Sequence, residues 1–269
     1  MFNVTTVRAN KSAEIVTWQN RVIAAGGGFE SNSLIIANNL LTILHGKSYY
    51  TELVYLLPML GVGMGAARTP LIDKLNVGSA TNTAFLDANF SQSTGLQGNG
   101  STKYLNSLIK PSQLGITNNG GMGYWENNIS FSANTEPMGM YANVGSDRFV
   151  VDLRSTLQAF RWGIAANGAS IATTAVNAHY YGQRFGATSR QIFRGGSLLA
   201  TNTTSDATSG AGNRSIIIVG SDESSSILPW PGRCALAYMT NGNLSTEDIS
   251  DFDSVLKNYL MIPTGKPQS

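Results

Sequence analysis

Charge, cysteine and histidine are what this chain has least of. Charged residues fill 13% of its 269 positions, about half the usual share of ~25%. Asn, Ser, Thr and Gly take their place. The resulting surface is polar but uncharged, as is common in secreted and virion β-proteins. The single cysteine, Cys234, excludes an internal disulfide framework and a cysteine metal cluster. It lies in the apolar run "GRCALAYM" and reads as a small buried hydrophobe. A formal net charge of +2 gives no global attraction to nucleic acid or to a membrane surface. Long apolar runs are missing too. The longest, "LVYLLPMLGVGMGAA", is broken by Pro58 and three glycines and is too short to insert in a bilayer. The opening "MFNVTTVRANKSAEIV" lacks the apolar core of a signal peptide, so the expectation is a protein made and folded in a cytoplasm.

The scarcity of reactive groups bears on chemistry. The two histidines, His45 and His179, carry no Ser–His–Asp or zinc-ligand spacing, and both read as structural. Asp222 and Glu223 are adjacent, so on a strand they point to opposite faces and cannot act on one glycosidic bond together. Glu126, Glu136 and Asp152 are isolated in sequence. "GVGMGAA" lacks the preceding strand and following acid of a dinucleotide fingerprint. No dense Asp-x-Asp run calls for calcium. The expectation is a protein without enzymatic activity, cofactor or metal.

What is present divides into two parts. Residues 1–76 read as a helical module. Ser12 caps a first helix with Ile15, Trp18 and Val22 on one face, and Gly26–Gly28 end it. "ESNSLIIANNLLTILHGKS" gives a second helix, striped by Leu34, Ala37, Leu41 and Leu44. "SYYTELVYLL" reads as a third, ended by Pro58. The apolar positions Leu34, Ile35, Ile36, Leu40, Leu41, Leu53, Leu56 and Leu57 exceed what three short helices bury among themselves, which favours a homo-oligomer or repeated symmetric copies.

Residues 77–269 read as a β-sandwich with a terminal helix. "RFVVDLRS" and "QAFRWGIA" alternate, with Phe149, Val151 and Leu153, and then Phe160, Trp162 and Ile164, on the core side. Gly195–Gly196 is a primed-turn signal for a hairpin. The glycine-rich "STGLQGNGSTKYLNS" is read as the turn into the first strand of the sandwich, which is expected over about 83–243. "NLSTEDISDFDSVLKNYLMIP" carries a capping box, Ser245 with Asp248, and a staple, Leu244 with Ile249. Ile249, Phe252, Val255, Leu256 and Tyr259 make the apolar face of a helix at about 246–260, which Pro263 closes.

Three stretches carry a resemblance: "ATNTAFLDANFSQSTGLQGNGSTKYLNS", the hairpin "RQIFRGGSLLA", and "GRCALAYMTNGNLSTEDISDFDSVLKNYL". In this order, behind the helical "TWQNRVIAAGGG", the chain resembles bacteriophage virion proteins that join a short helical segment to a concanavalin A-like, laminin G-like jelly roll. The resemblance implies a mainly β sandwich. It also implies a non-enzymatic structural role on the virion, as a tail, fibre, baseplate or capsid-decoration component in contact with other virion proteins. A receptor-binding lectin recognising a host-surface glycan is the alternative, and a glycoside hydrolase the third class.

One positional asymmetry stands out. Between Leu153 and Ser221 there are six arginines against one acid, Asp206. Alternation puts Arg148, Arg154 and Arg161 opposite the core side. With Phe185 buried, Tyr180 and Arg184 would share their outward face. These five residues form the candidate interaction face, suited to an anionic glycan or an acidic neighbouring subunit, for example through its Asp251 or Asp253. Tyr124, Trp125 and Trp230 are further candidates for stacking on sugar, or else core residues.

Overall fold

The computed structural model describes residues 12–114, 119–128, 136–141, 148–163, 168–205, 214–223 and 226–267. Two sheets face one another. The first runs in the order Ser197–Asn202, Ser189–Arg194, His179–Phe185, Asn119–Glu126, Arg233–Thr240, Leu53–Leu57 and Ile72–Asp73, all antiparallel. The second runs Ala169–Ile171, Gln158–Gly163, Arg148–Leu153, Met138–Tyr141, Ile217–Ile218, Tyr104–Asn106 and Thr81–Thr83. Gly220–Glu223 joins it in parallel with Met138–Tyr141. The protein is therefore mainly β, a jelly-roll-type sandwich with few helices.

Two cores flank the first sheet. The one between the sheets holds Met122, Tyr124, Tyr180, Ile192, Ala237 and Met239 from the first sheet, with Phe149, Val151, Phe160 and Trp162 from the second. The other lies between the first sheet and three helices: α1 (Ala13–Ala24), α2 (Ser33–His45) and α4 (Thr246–Leu256). The five-residue helix α3 (Gly63–Ala67) lies between α2 and α4 in sequence. Trp125, Tyr181, Phe193, Leu236 and Tyr238 face the helices. Successive side chains of a strand point to opposite faces. A strand sandwiched on both faces therefore reads as a continuous apolar run, as "CALAYM" does.

The helix ends follow the expected chemistry. Ser12 Oγ accepts from the Ile15 amide at 3.3 Å. At α4 the Asp248 amide donates to Ser245 Oγ at 3.0 Å, and the Ser245 amide to Asp248 Oδ2 at 3.3 Å. Leu244 and Ile249, the staple, are both buried in the helix-side core. Gly195 and Gly196, at φ 53° and 77°, turn the expected hairpin.

Four expectations are corrected. "SYYTELVYLL" is a 3₁₀ turn, Ser48–Thr51, followed by the strand Leu53–Leu57. Tyr55 and Leu57 enter the inter-sheet core while Leu53 and Leu56 face the helices. A five-residue run buried on both faces has no periodicity to distinguish it from a buried helix. "STGLQGNGSTKYLNS" does not open the β structure. Strands precede it, and it carries the chain from the first sheet (Gly95–Gln97, paired with Arg233–Thr240) to the second (Tyr104–Asn106). Gly98 is required at the crossing, because a Cβ there would collide with the Trp230 carbonyl. Pro263 does not close the last helix. A π-helical turn, Lys257–Met261, follows α4, and the chain stays helical to Thr264 before Gly265 stops it at φ 72°. The wider turn places Leu260 and Met261 in the core and leaves Tyr259 half-buried. Finally, Ile36, Leu40, Leu41, Leu53, Leu56 and Leu57 are all buried within this one chain and no longer argue for a partner copy, while Leu34 is half-buried and Ile35 is exposed. Ile164 and Asp206 lie outside the described residues.

Candidate functional site

The arginine face is built by two neighbouring strands of the second sheet. Val150 pairs with Arg161, and Asp152 with Ala159. Phe149, Val151 and Leu153 fill the inter-sheet core together with Phe160 and Trp162. Alternation puts Arg148, Asp152 and Arg161 on the opposite face, as expected. Asp152 organises it. Its carboxylate meets Arg154 Nε at 2.8 Å and Arg161 Nη2 at 2.9 Å. The Asp152 side chain is 0% exposed, against 44% for Arg154 and 15% for Arg161. Two guanidinium groups, those of Arg154 and Arg161, thus meet on one carboxylate, and Arg154 is the more exposed of the two.

Tyr180 and Arg184 do not belong to this face. Both are buried in the first sheet, and it is Phe185 that is exposed. The alternation runs in the opposite phase from the one expected. Tyr180 points into the inter-sheet core, where its hydroxyl donates to the Val176 carbonyl at 2.7 Å and accepts from the Val176 amide at 2.9 Å. Arg184 donates to the Trp162 carbonyl at 2.8 Å and to the Gly186 carbonyl at 3.1 Å. Arg190, its cross-strand partner, reaches the Thr204 carbonyl at 2.6 Å. The two buried guanidiniums satisfy backbone carbonyls of Trp162, Gly186 and Thr204, which is a structural task.

Several other ionisable groups are also committed. Glu126 is buried and accepts from Trp230 Nε1 and from the Arg233 amide, both at 2.7 Å, and from the Asn128 amide at 3.0 Å. Burial outweighs these donors and pushes its carboxyl up to about 7. Asp222 pairs with Arg214. Glu126, Asp152 and Asp222 therefore each have a separate set of partners. His45, the last residue of α2, contacts Glu14 in the first turn of α1 at 2.7 Å. His179 is buried, with Nδ1 3.0 Å from Asp253 Oδ1 and Nε2 2.8 Å from the Tyr238 hydroxyl, and it stacks on Trp125. This chain of polar contacts fastens α4 to the sheet. Asp253 is thereby occupied, and Asp251 is held by Lys47 and Tyr49 at 2.7 Å each. Tyr124, Trp125 and Trp230 are fully buried core residues and are not placed to stack on a sugar.

No family model matches the chain, and no curated protein matches it in sequence. Solved structures do match in fold. A Trypanosoma rangeli sialidase in complex with a difluoro-KDN ligand aligns at a TM-score of 0.53 and 10% identity, covering 78% of this chain and 33% of that one. The same sialidase in complex with sialic acid aligns at 0.52 and 12%, over 81% and 34%. The binding domain of botulinum neurotoxin DC, in complex with rat synaptotagmin II, aligns at 0.43 and 12%, over 60% and 42%. The chain spans about a third of the length of the sialidases it matches. At such identities the likeness is one of fold: a β-sandwich.

Sequence alone located Arg148, Arg154 and Arg161, because strand alternation is a local signal. It missed Asp152 as the common partner of Arg154 and Arg161, although the charge reversal within "VVDLR" marks it. It also missed the pairing of His179 with Asp253. Those two residues are 74 positions apart, and only the docking of α4 joins them.

Proposed function

We propose that this protein is a non-enzymatic structural component of a bacteriophage virion, with the β-sandwich as a contact-making module and the arginine face as a docking surface for an acidic neighbour. The observation that carries this reading is the ordered set of three sequence stretches that resemble such proteins. All three fall on successive parts of one sandwich: the crossing between sheets, the Gly195–Gly196 hairpin, and the last strand with its capped helix. The low charge of the chain supports it, since uncharged polar surface costs less to desolvate in a permanent contact. Repeated copies follow from the symmetry of a particle. The test is to raise antibodies to the purified chain and label gradient-purified virions of the phage that encodes it. Labelling at a symmetric set of positions is expected. A chain absent from purified particles and strictly monomeric in sedimentation would end this reading.

The second reading is a glycan-binding module. What favours it is the convergence of Arg154 and Arg161 on one strand face, because arginine pairs with carboxylates in a two-bond geometry that an acidic sugar would satisfy. Binding of sialylated glycans that Arg154→Ala weakens would support it. Equal binding by the variant would remove it.

A further inference from the structure

A groove of about 460 Å³ lies on the helical side of the molecule, between the end of α2 and the outer surface of α4 and its π-helical turn. The volume falls in the range of sites that take small ligands. Its lining is of two kinds. Ile43, Val255 and Tyr259 give apolar and aromatic surface, while Ser254, Asn258 and Thr42 give exposed hydroxyl and amide groups. Asp251 also lines it, with its side chain 42% exposed. That carboxylate accepts from Lys47 Nζ and the Tyr49 hydroxyl. About four acceptor positions are available on a carboxylate, so it retains capacity for ligand hydroxyls. The ion pair with Lys47 also cancels the charge of the groove from within.

A second observation marks the same place. The π-helical turn Lys257–Met261 contributes Asn258 and Tyr259 to the groove. Such turns are rare, and they occur often at functional sites.

We propose that this groove is a binding site for a neutral saccharide unit. Aromatic and aliphatic surface packs the C–H face of a pyranose. The Asn258 amide can donate to sugar hydroxyls, and the Asp251 carboxylate and the oxygens of Ser254 and Thr42, whose own protons go to the Ser250 and Asn38 carbonyls, can accept from them. Neutralisation of Asp251 by Lys47 selects against a charged ligand. This distinguishes the groove from the arginine face, which lies on the other side of the sandwich. The inference rests on neither reading of the protein's role, since a virion component and a free lectin would use the groove alike.

The test uses the full chain with lactose, maltotetraose and chitotetraose as neutral probes and sialyllactose as the anionic one, followed by saturation-transfer NMR and calorimetric titration. At least one neutral probe is expected to bind. Asn258→Ala and Ser254→Ala should each weaken it by fivefold or more, while Lys110→Ala, at an exposed position outside the groove, leaves it unchanged. Both groove positions are exposed, so these variants should fold normally, and thermal melting verifies this. Binding of sialyllactose alone, neutral binding indifferent to both groove variants, or no binding by any probe at millimolar concentration would each overturn the proposal.

Discussion

Phe252→Ala measures how firmly the last helix is built into the molecule. Phe252 is 1% exposed. Its ring meets Tyr238 edge-on at 5.0 Å, and Tyr49 at 5.3 Å on the other side. Removing a buried phenyl ring forfeits about 2–3 kcal/mol of transfer free energy. Each lost ring pair adds about 0.5–1.5 kcal/mol. Partial collapse of the cavity returns some of this. The expected loss is about 3–5 kcal/mol, the usual cost of truncating a core aromatic residue. Phe252→Leu, which keeps much of the apolar burial but loses both ring pairs, should cost less, about 1–3 kcal/mol. Urea unfolding followed by circular dichroism provides both values, with an unchanged denaturant slope as the check on two-state behaviour. A loss below about 1 kcal/mol for the alanine variant would refute the reasoning. It would mean that α4 contributes little to the helix-side core and that the His179–Asp253 contact holds it alone.

Two further outcomes follow from the carboxylates. Glu126, raised from 4.5 to about 7 by burial, disfavours the folded state once the unfolded chain ionises. Its penalty is absent below about pH 4, grows as pH rises through the interval to about 7, and is then constant at about 3 kcal/mol. Glu126→Gln should therefore flatten the pH dependence of stability in that window, and a pH–stability profile parallel to the parent's would contradict the assignment. Incubation with host envelope polysaccharide or sialyllactose should release no reducing sugar. Release abolished by replacing one of Glu126, Asp152 or Asp222 would overturn the non-enzymatic reading.

Much of the fold was legible where the signal is local. The capping box at Ser245, the Gly195–Gly196 hairpin and the alternation in "RFVVDL" each depend on a few neighbouring residues, and each is built as read. The readings that failed depended on what lies across the chain. "LVYLL" is a strand because Arg233–Thr240 pairs with it and because helices cover its outer face. Tyr180 and Arg184 point inward because their strand has a buried surface on both sides, where one face of apolar residues no longer marks the interior. Met261 enters the core five residues after Leu256 because one wide turn shifted the helical phase by a residue. None of these is encoded in the periodicity of the segment itself.

The layered order of helices, first sheet and second sheet gives the molecule two polar faces with different electrostatics. The arginine face joins two guanidiniums, Arg154 and Arg161, to the carboxylate of Asp152. The helical groove holds an internally balanced pair, Lys47 with Asp251. A contact made through the first face gains from charge attraction, which salt screens over about 8–10 Å at physiological strength and over about 3 Å at 1 M. A contact made through the second depends on hydrogen bonds and packing, which salt barely changes. Raising salt from about 0.05 M to about 0.5 M should therefore loosen a partner held by Arg154 and Arg161 and leave a saccharide in the groove bound. The comparison is made on one sample, by titrating each ligand at both salt concentrations. A partner that survives high salt yet is lost in the Arg154→Ala variant would show that packing against the arginine stem, and not its charge, makes that contact.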